Sequence, residues 1–453
     1  MSSFRSRFFA VAVVLSTAWA VSAQTTTLNP KINSPYSRFG LGDFNNLYFP
    51  VQAGQGGLSA AYHDPFHANV LNPASLSQLK ATAFDVGLNA RFGELATDDA
   101  KQSLWSGNLT HLSLAFPLVN PINKVLDRRE APFGLGMAFT LQPYSTVGYN
   151  VETTQQVDGA GQSTNFLIGA GETYRLSWGN GVKYGPVSAG VTLGYNWGTI
   201  TNTRLVEFDS LDLAYTTQFE DQLTINGLFW RFGAQYTYEF KKINSKGEEE
   251  PSGKRLILGV HGSSGNDFNT DASRFGERYN LNFGAPFVID TLFNESGVAG
   301  TGRLPAEFAV GLSYQEVNKW RLGVELGMQQ WSNYENEGQS AQNLADTWEV
   351  RAGAEFIPDY LSYNSYLARV RYRVGMFYGQ DPRQFSGDQL LDYGLTLGLG
   401  FPIILPRQRT SFVNFAVEAG RFGVAEGLRE TYINMTLGFT LNDNTWFFKR
   451  KFN

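Results

Sequence analysis

Apolar residues recur at every second position through most of the chain, and the positions between them are small or polar rather than charged. In "YINMTLGFTL" (432–441), Ile433, Met435, Leu437, Phe439 and Leu441 share one face, while Asn434, Thr436, Gly438 and Thr440 share the other. "DYGLTLGLGF" (392–401) and "FGLGMAFTLQ" (133–142) repeat the arrangement. A period of two marks strands. A soluble sandwich turns its apolar face inward and carries charge outside; unbroken apolar faces backed by Gly, Thr, Asn and Ala fit a barrel with lipid against its wall. Fourteen such segments are predicted, at about 82–92, 107–117, 133–144, 172–184, 186–200, 223–240, 255–264, 304–315, 319–331, 346–357, 363–380, 389–402, 410–421 and 430–442. The fold class expected is all-β: a 14-stranded antiparallel transmembrane β-barrel.

Link lengths alternate. "GP" (185–186), "EVNK" (316–319) and "LPRQR" (405–409) read as periplasmic turns, and two longer links on that side, "NPINKVLDRREAP" and "KKINSKGEEEPSGK", are highly charged. Residues 145–171, 201–222 and 265–303 read as external loops. An even strand count places both ends of the mature chain on the periplasmic side.

Several inward faces carry charge of both signs: Asp85, Arg321 with Glu325, Glu349 with Arg351 and Glu355, the row Arg369, Arg371 and Arg373, and Glu418. Buried charges persist when paired and hydrogen-bonded. Two readings fit: an ion-pair network bracing the wall and a plug, or a charged conduction path. A wide open pore is disfavoured, because 14 strands enclose less than the 16–18 of porins.

Residues 24–80 do not alternate and are too long for a linker. Gly40, Gly42, Gly54, Gly56 and Gly57 let backbone pack closely against inward side chains, so an N-terminal plug (hatch) in the lumen is expected over 24–80, with the barrel over 81–443. In "VLNPASLSQL", Pro73 pushes Asn72 toward an extended conformation, and the Asn72 side chain can satisfy the turn; Asn72, Pro73 and Ala74 are the expected hinge from plug to wall.

Composition supports an exported chain. Arg5 and Arg7, the apolar "FFAVAVVLSTAWAV" and the small Val21-Ser22-Ala23 read as a signal peptide over 1–23. Without it, 34 Lys and Arg face 41 Asp and Glu, a net of −7, which argues against nucleic acid as a partner. There is no Cys, so disulfides and Cys-ligated metals are excluded.

Candidate chemistry is sparse. "HDPFH" brings His63, Asp64 and His67 within five residues, either as metal ligands or, as the presence of Pro65 favours, as a plug contact; no metal site and no cofactor are expected. His111 beside Ser113, and His261, have no acidic partner by spacing, and no catalytic residues are expected. In the 265–303 link, Phe283, Phe287, Val288, Ile289, Leu292 and Phe293 form an apolar cluster that reads as a ligand or partner loop, or as a cap on the barrel mouth. The aromatic-basic tail 444–453, ending "WFFKRKFN", suits the periplasmic lipid interface or a docking role.

"GQGGLSAAYHDPFHANVLNPASL" resembles the Gly-rich plug of the FadL-like family, the outer-membrane channels for long-chain fatty acids and other hydrophobic compounds, closing on Asn-Pro-Ala before the first strand. "GRLPAEFAVGLSY" with "WRLGVELGMQQWSNY" is similar to the family's Leu-Pro strand entry and Trp-ended strand, and "NSPYSRFGLGD" with the terminal "WFFKRKFN" resembles versions found in Bacteroidota. The resemblance covers nearly the whole mature chain and implies 14 strands in the outer membrane. It further implies passive uptake of fatty acids or other apolar small molecules by plug-gated lateral diffusion into outer-membrane lipid. A second expectation stands beside it: such barrels in Bacteroidota also serve as non-transporting subunits, partnered by other envelope proteins in type IX secretion or barrel assembly. The charged lumen and the tail favour that alternative; the family resemblance favours transport, which is the leading expectation.

Overall fold

The computed structural model describes residues 34–443 apart from 98–99, 120–132, 160, 209–213, 244–246, 248, 281–286, 340–342, 386, 406–408 and 425–426. The expected signal peptide, the tail and Phe283 lie outside the described residues.

The chain opens with a short strand, β1 (Asp43–Phe44), and a single helical turn, α1 (Pro50–Ala53). A run of antiparallel strands follows: β2 (Thr82–Ala96), β3 (Lys101–Pro117), β4 (Phe133–Val157), β5 (Gly161–Tyr184), β6 (Val187–Phe208), β7 (Thr216–Ile243) and β8 (Glu249–Ser263). Next come β9 (Asn266–Asn280), β10 (Phe287–Leu304), β11 (Glu307–Glu316), β12 (Trp320–Gln329) and the two-residue β13 (Glu335–Asn336). The chain ends with β14 (Thr347–Phe356), β15 (Arg371–Phe385), β16 (Asp388–Leu405), β17 (Arg409–Gly423) and β18 (Arg429–Asp443).

Fourteen of these close a ring. β2 to β8 pair in order, β8 pairs β11, and β11, β12 and β14 to β18 continue to β18. The ring closes where β18 pairs β2 along its whole length, from Arg429 opposite Ala96 to Asp443 opposite Thr82. Closure leaves no sheet edge in the lipid, where unpaired backbone costs several kcal/mol per group. Outward positions carry the apolar residues of the alternation: on β18, Ile433, Met435, Phe439 and Leu441 are exposed while Thr436 and Thr440 are buried inward.

The sequence placed loops at 145–171, 201–222 and 265–303, and the structure corrects this. β4 and β5 continue as a paired ribbon to Val157 and Gly161, β6 and β7 pair on into 201–222 as far as Val206 opposite Thr217, and β9 and β10 pair over Asn266–Asn280 and Phe287–Leu304. Beyond the lipid slab neither face must be apolar, so period-two alternation fades, but backbone groups still require partners and the ladders run on. β9 pairs the upper half of β7, and β10 meets β13 only at Gly302 and Arg303. The expected strand 363–380 starts at Arg371, after a turn at Leu367–Arg369, because Pro358, Asp359, Ser362 and Ser365 favour turns before it.

Candidate functional site

The interior of the ring is the site. Residues 34–80 are mostly buried and touch inward positions of strands all the way round: Ser77 against β4, Pro73 against β5 and β6, Asn72 against β7, Ala60 against β8, Leu58 against β12, Gln55 against β14 and Pro50 against β18. This inner segment therefore lies inside the barrel. Glycines on both partners permit the approach. A Cβ at Gly259 would fall 1.9 Å from the Ala60 carbonyl oxygen, and one at Gly54 would fall 2.8 Å from the Gly398 Cα. Gly56 and Gly57 hold φ of +70° and +82°, which glycine adopts without steric cost.

Local signals in the segment act as the chain chemistry requires. Pro50 and Pro73 open short helical turns, where a missing N–H costs nothing. Asn72 caps the second turn by accepting from the Ala74 N–H at 3.1 Å, and its Nδ2 donates to the Ala60 carbonyl at 2.6 Å. Asn69 donates to the carbonyls of Ser59 at 2.7 Å and Tyr62 at 2.9 Å, closing the segment on itself.

Wall charges grip this segment rather than lining an open path. Glu325 accepts from the N–H groups of Ser59 and Ala60, both at 2.7 Å, and from the Ser59 hydroxyl at 2.8 Å. Arg321 donates to the His63 carbonyl at 3.0 Å, and Arg351 donates to the Gly57 carbonyl at 3.0 Å and to Glu349 at 2.8 Å. Arg371 meets Asp64 at 2.7 Å, both 3% exposed. Arg373 meets Glu355 at 2.7 Å and donates to Asn414, which touches His67. Glu418 accepts from Tyr48 on the segment and Tyr432 on β18. Asp85 takes His111 at 2.7 Å and Thr440, and the His111 ring stacks on Phe49 of the segment at 3.8 Å. Arg369 stands apart: it lies in the turn before β15, over the Tyr366 ring, and not on the strand face the sequence assigned it.

His63, Asp64 and His67, weighed in the sequence as metal ligands or a segment contact, are engaged with protein groups. Asp64 accepts from His67 at 2.9 Å and the Phe66 N–H at 2.9 Å besides Arg371. Burial pushes the Asp64 carboxyl up, but the Arg371 guanidinium, His67 with its hydrogen bond and the Arg321 charge together outweigh it and hold the group well below the usual carboxylate range. Burial, with the Arg321 charge adding to it, pushes His63 down to about 3, so it stays neutral. Sequence spacing missed these pairings because partners such as Asp64 and Arg371 lie hundreds of residues apart.

Two of the cavities beside the segment are large enough to hold several waters. The larger, about 320 Å³, is lined by Arg91, Arg351, Asp392, Glu418 and Glu430, and extends to Leu104–Thr110 on β3 and Pro143 on β4. It reaches a break in the wall. β3 pairs β4 only from Leu112 opposite Leu141 to Pro117 opposite Gly136. Thr110 is an extra residue opposite β2, and Tyr144 is an extra residue opposite β5, next to Pro143. Two bulges and a proline bend the strands apart there, and the inner segment's β1 pairs the freed part of β4. The smaller cavity, about 200 Å³, lies over Ser59, Arg231, His261 and Glu307.

Far from the lumen, Phe287, Val288, Ile289 and Phe293 are exposed on β10, and Leu292 is half-buried.

This fold is shared with solved transporter and channel barrels. The toluene transporter TodX of Pseudomonas putida superposes with a TM-score of 0.54 at 15% identity, covering 88% of this chain and 98% of that one. A FadL homologue of Pseudomonas aeruginosa gives 0.55 at 12% identity over 88% and 98% of the chains, and the toluene transporter TbuX of Ralstonia pickettii gives 0.53 at 14% over 87% and 98%. No curated protein matches the sequence. The molecule is thus a closed 14-stranded antiparallel β-barrel with the fold of hydrophobic-compound channels and an occupied lumen. Residues 6–453 match the BamG family, and the chain belongs to it.

Proposed function

We propose that this protein is a non-transporting subunit of a multi-protein outer-membrane machine, of the class that assembles barrels or secretes proteins. In this reading residues 1–23 direct export, the mature termini face the periplasm, and residues 24–80 are a fixed plug within the 81–443 barrel. The observation that carries it is the grip on the inner segment: buried ionic and backbone hydrogen bonds from β12, β14, β15 and β17 hold Tyr48 to Asp64 in place. The BamG name points the same way, toward other envelope proteins as partners.

Passive uptake of fatty acids or other hydrophobic compounds is the second reading, favoured by the β3–β4 break and by the toluene transporters that share the fold. Its difficulty is the chemistry behind the opening. An apolar ligand in the larger cavity would desolvate Arg91, Arg351, Asp392, Glu418 and Glu430 without pairing any of them.

Native mass spectrometry on the protein extracted gently from its own outer membrane separates the two. A stoichiometric complex with other envelope proteins is expected. A monomer carrying a small apolar ligand would overturn the subunit reading and identify the cargo.

A further inference from the structure

The hairpin of β9 and β10 is built unlike the rest of the wall. Consecutive residues from Phe287 to Thr291 are all exposed, so both faces of β10 are open at once, which neither lipid contact on one side nor lumen packing on the other explains. Phe287 is 70% exposed and Val298 53%. β10 bonds to β9 along one edge, and among the described residues no backbone group bonds to its other edge between Phe287 and Gly300. Free edges of this length, about 40 Å, invite association unless blunted, and β10 carries no Pro or Lys on this stretch. Three bulges with β9 break its register, so the hairpin presents side chains on both faces more than a flat backbone edge.

Its charge is mixed with a small acidic excess: across 266–304 there are five carboxylates against three arginines. Asp290 and Glu295, on β10 itself, stand among the apolar positions, opposite Arg278 and Arg274 of β9 in register. Among the described residues neither carboxylate makes an ion pair; Arg274 leans 3.8 Å toward Asp221 on β7, and Arg303 leans toward Asp267.

Resting on the subunit reading above, we propose that the β9–β10 hairpin is a docking rib, clasped on both faces by an apolar cleft of a partner protein flanked by lysines or arginines. A flat partner surface would cover one face and leave the other wet; a cleft covers both. The basic flank complements Asp290 and Glu295, and charges at such a rim govern association rate and salt dependence.

The test uses the full-length protein in its own outer membrane, in three forms. Wild type is compared with F287S/I289S/V298S and with D290K/E295K, and heat-modifiable mobility checks that each barrel is folded. A photo-cross-linking residue is also placed at 287 or at 288, whose side chains leave opposite faces. The apolar variant is expected to recover at least tenfold less of one subunit while the barrel stays folded. The charge variant is expected to lose that same subunit, and raised salt to weaken its hold on wild type. Cross-linkers at 287 and 288 are expected to capture one and the same polypeptide. A wild-type complex that both variants leave intact refutes the rib while the subunit reading stands. A wild type that purifies alone refutes both. Cross-links from 287 into 287–298 of a second copy replace the partner protein with self-association and overturn the assignment.

Discussion

Replacing Asp64 with Asn asks how firmly the inner segment is held. The substitution keeps the side chain's shape and one oxygen, but removes the charge facing Arg371 at 2.7 Å. Both residues are 3% exposed, so the guanidinium cannot swing into water, and its remaining neighbours include the Phe412 ring at 4.6 Å and the more distant Glu355 carboxylate, which Arg373 already engages at 2.7 Å. Breaking a buried pair by removing one partner costs about 3–5 kcal/mol. At about 1.4 kcal/mol per factor of ten, the released state gains about two to three and a half orders of magnitude in population. Hydrogen exchange read by mass spectrometry on the folded barrel in detergent reports that population at the amides of Ser59–Asn69, provided they exchange through release of the segment. The expected acceleration is therefore about 10²- to 3 × 10³-fold, with wall amides of β16 and β17 unchanged. The double variant D64N/R371M removes the stranded guanidinium and keeps the Asn oxygen for His67 and the Phe66 N–H, so it should return to within about tenfold of wild type. Exchange in D64N within about threefold of wild type would show that the pair does not hold the segment, and a double variant as fast as the single would refute the charge argument.

Two further outcomes follow from the same packing. His63 has a folded value of about 3 against an ordinary value near 6.5, so the released state binds the extra proton between those limits. Seating of the segment should therefore weaken as pH falls from about 6.5 toward 3, by at most about 1.4 kcal/mol per unit, and exchange measured across pH with H63Q should lose that part of the slope. Gly259→Ala forces a methyl group into the Ala60 carbonyl at 1.9 Å, and overpacking of about 1–3 kcal/mol should speed exchange at Ala60 and Ala61 by about ten- to a hundredfold; an unchanged rate would mean the segment shifts freely.

The wall was legible in the sequence and the grip on the segment was not, for one physical reason. Lipid imposes a chemical difference between the two faces of every spanning strand, so "YINMTLGFTL" and "DYGLTLGLGF" announce both their conformation and their outward side, and fourteen such segments match the fourteen that close the ring. Where the lipid ends that constraint ends, and "VETTQQV" reads as loop although it is β4 paired to β5. Parity along a strand places Glu325 and Arg371 on the inward side, but says nothing of what faces them across the lumen. Glu325 meets backbone amides, and Arg371 meets Asp64 from "HDPFH", a stretch whose spacing suggested a different chemistry. The glycines of "GQGGL" signalled close packing, and the partners that need it, Gly375 and Gly398 on the wall, sit in strands where glycine looks like ordinary filler.

A segment bonded to several strands of a cylinder ties those strands to one another. The inner segment runs directly into β2, and the β18–β2 ladder is the seam where the first and last barrel strands meet. Glu325 on β12, Arg371 on β15 and Glu418 on β17 are thereby joined through the segment to the strand that begins the wall. The N-terminal residues act as spokes as well as contents, so that a load on one arc of the wall is carried through them to the others.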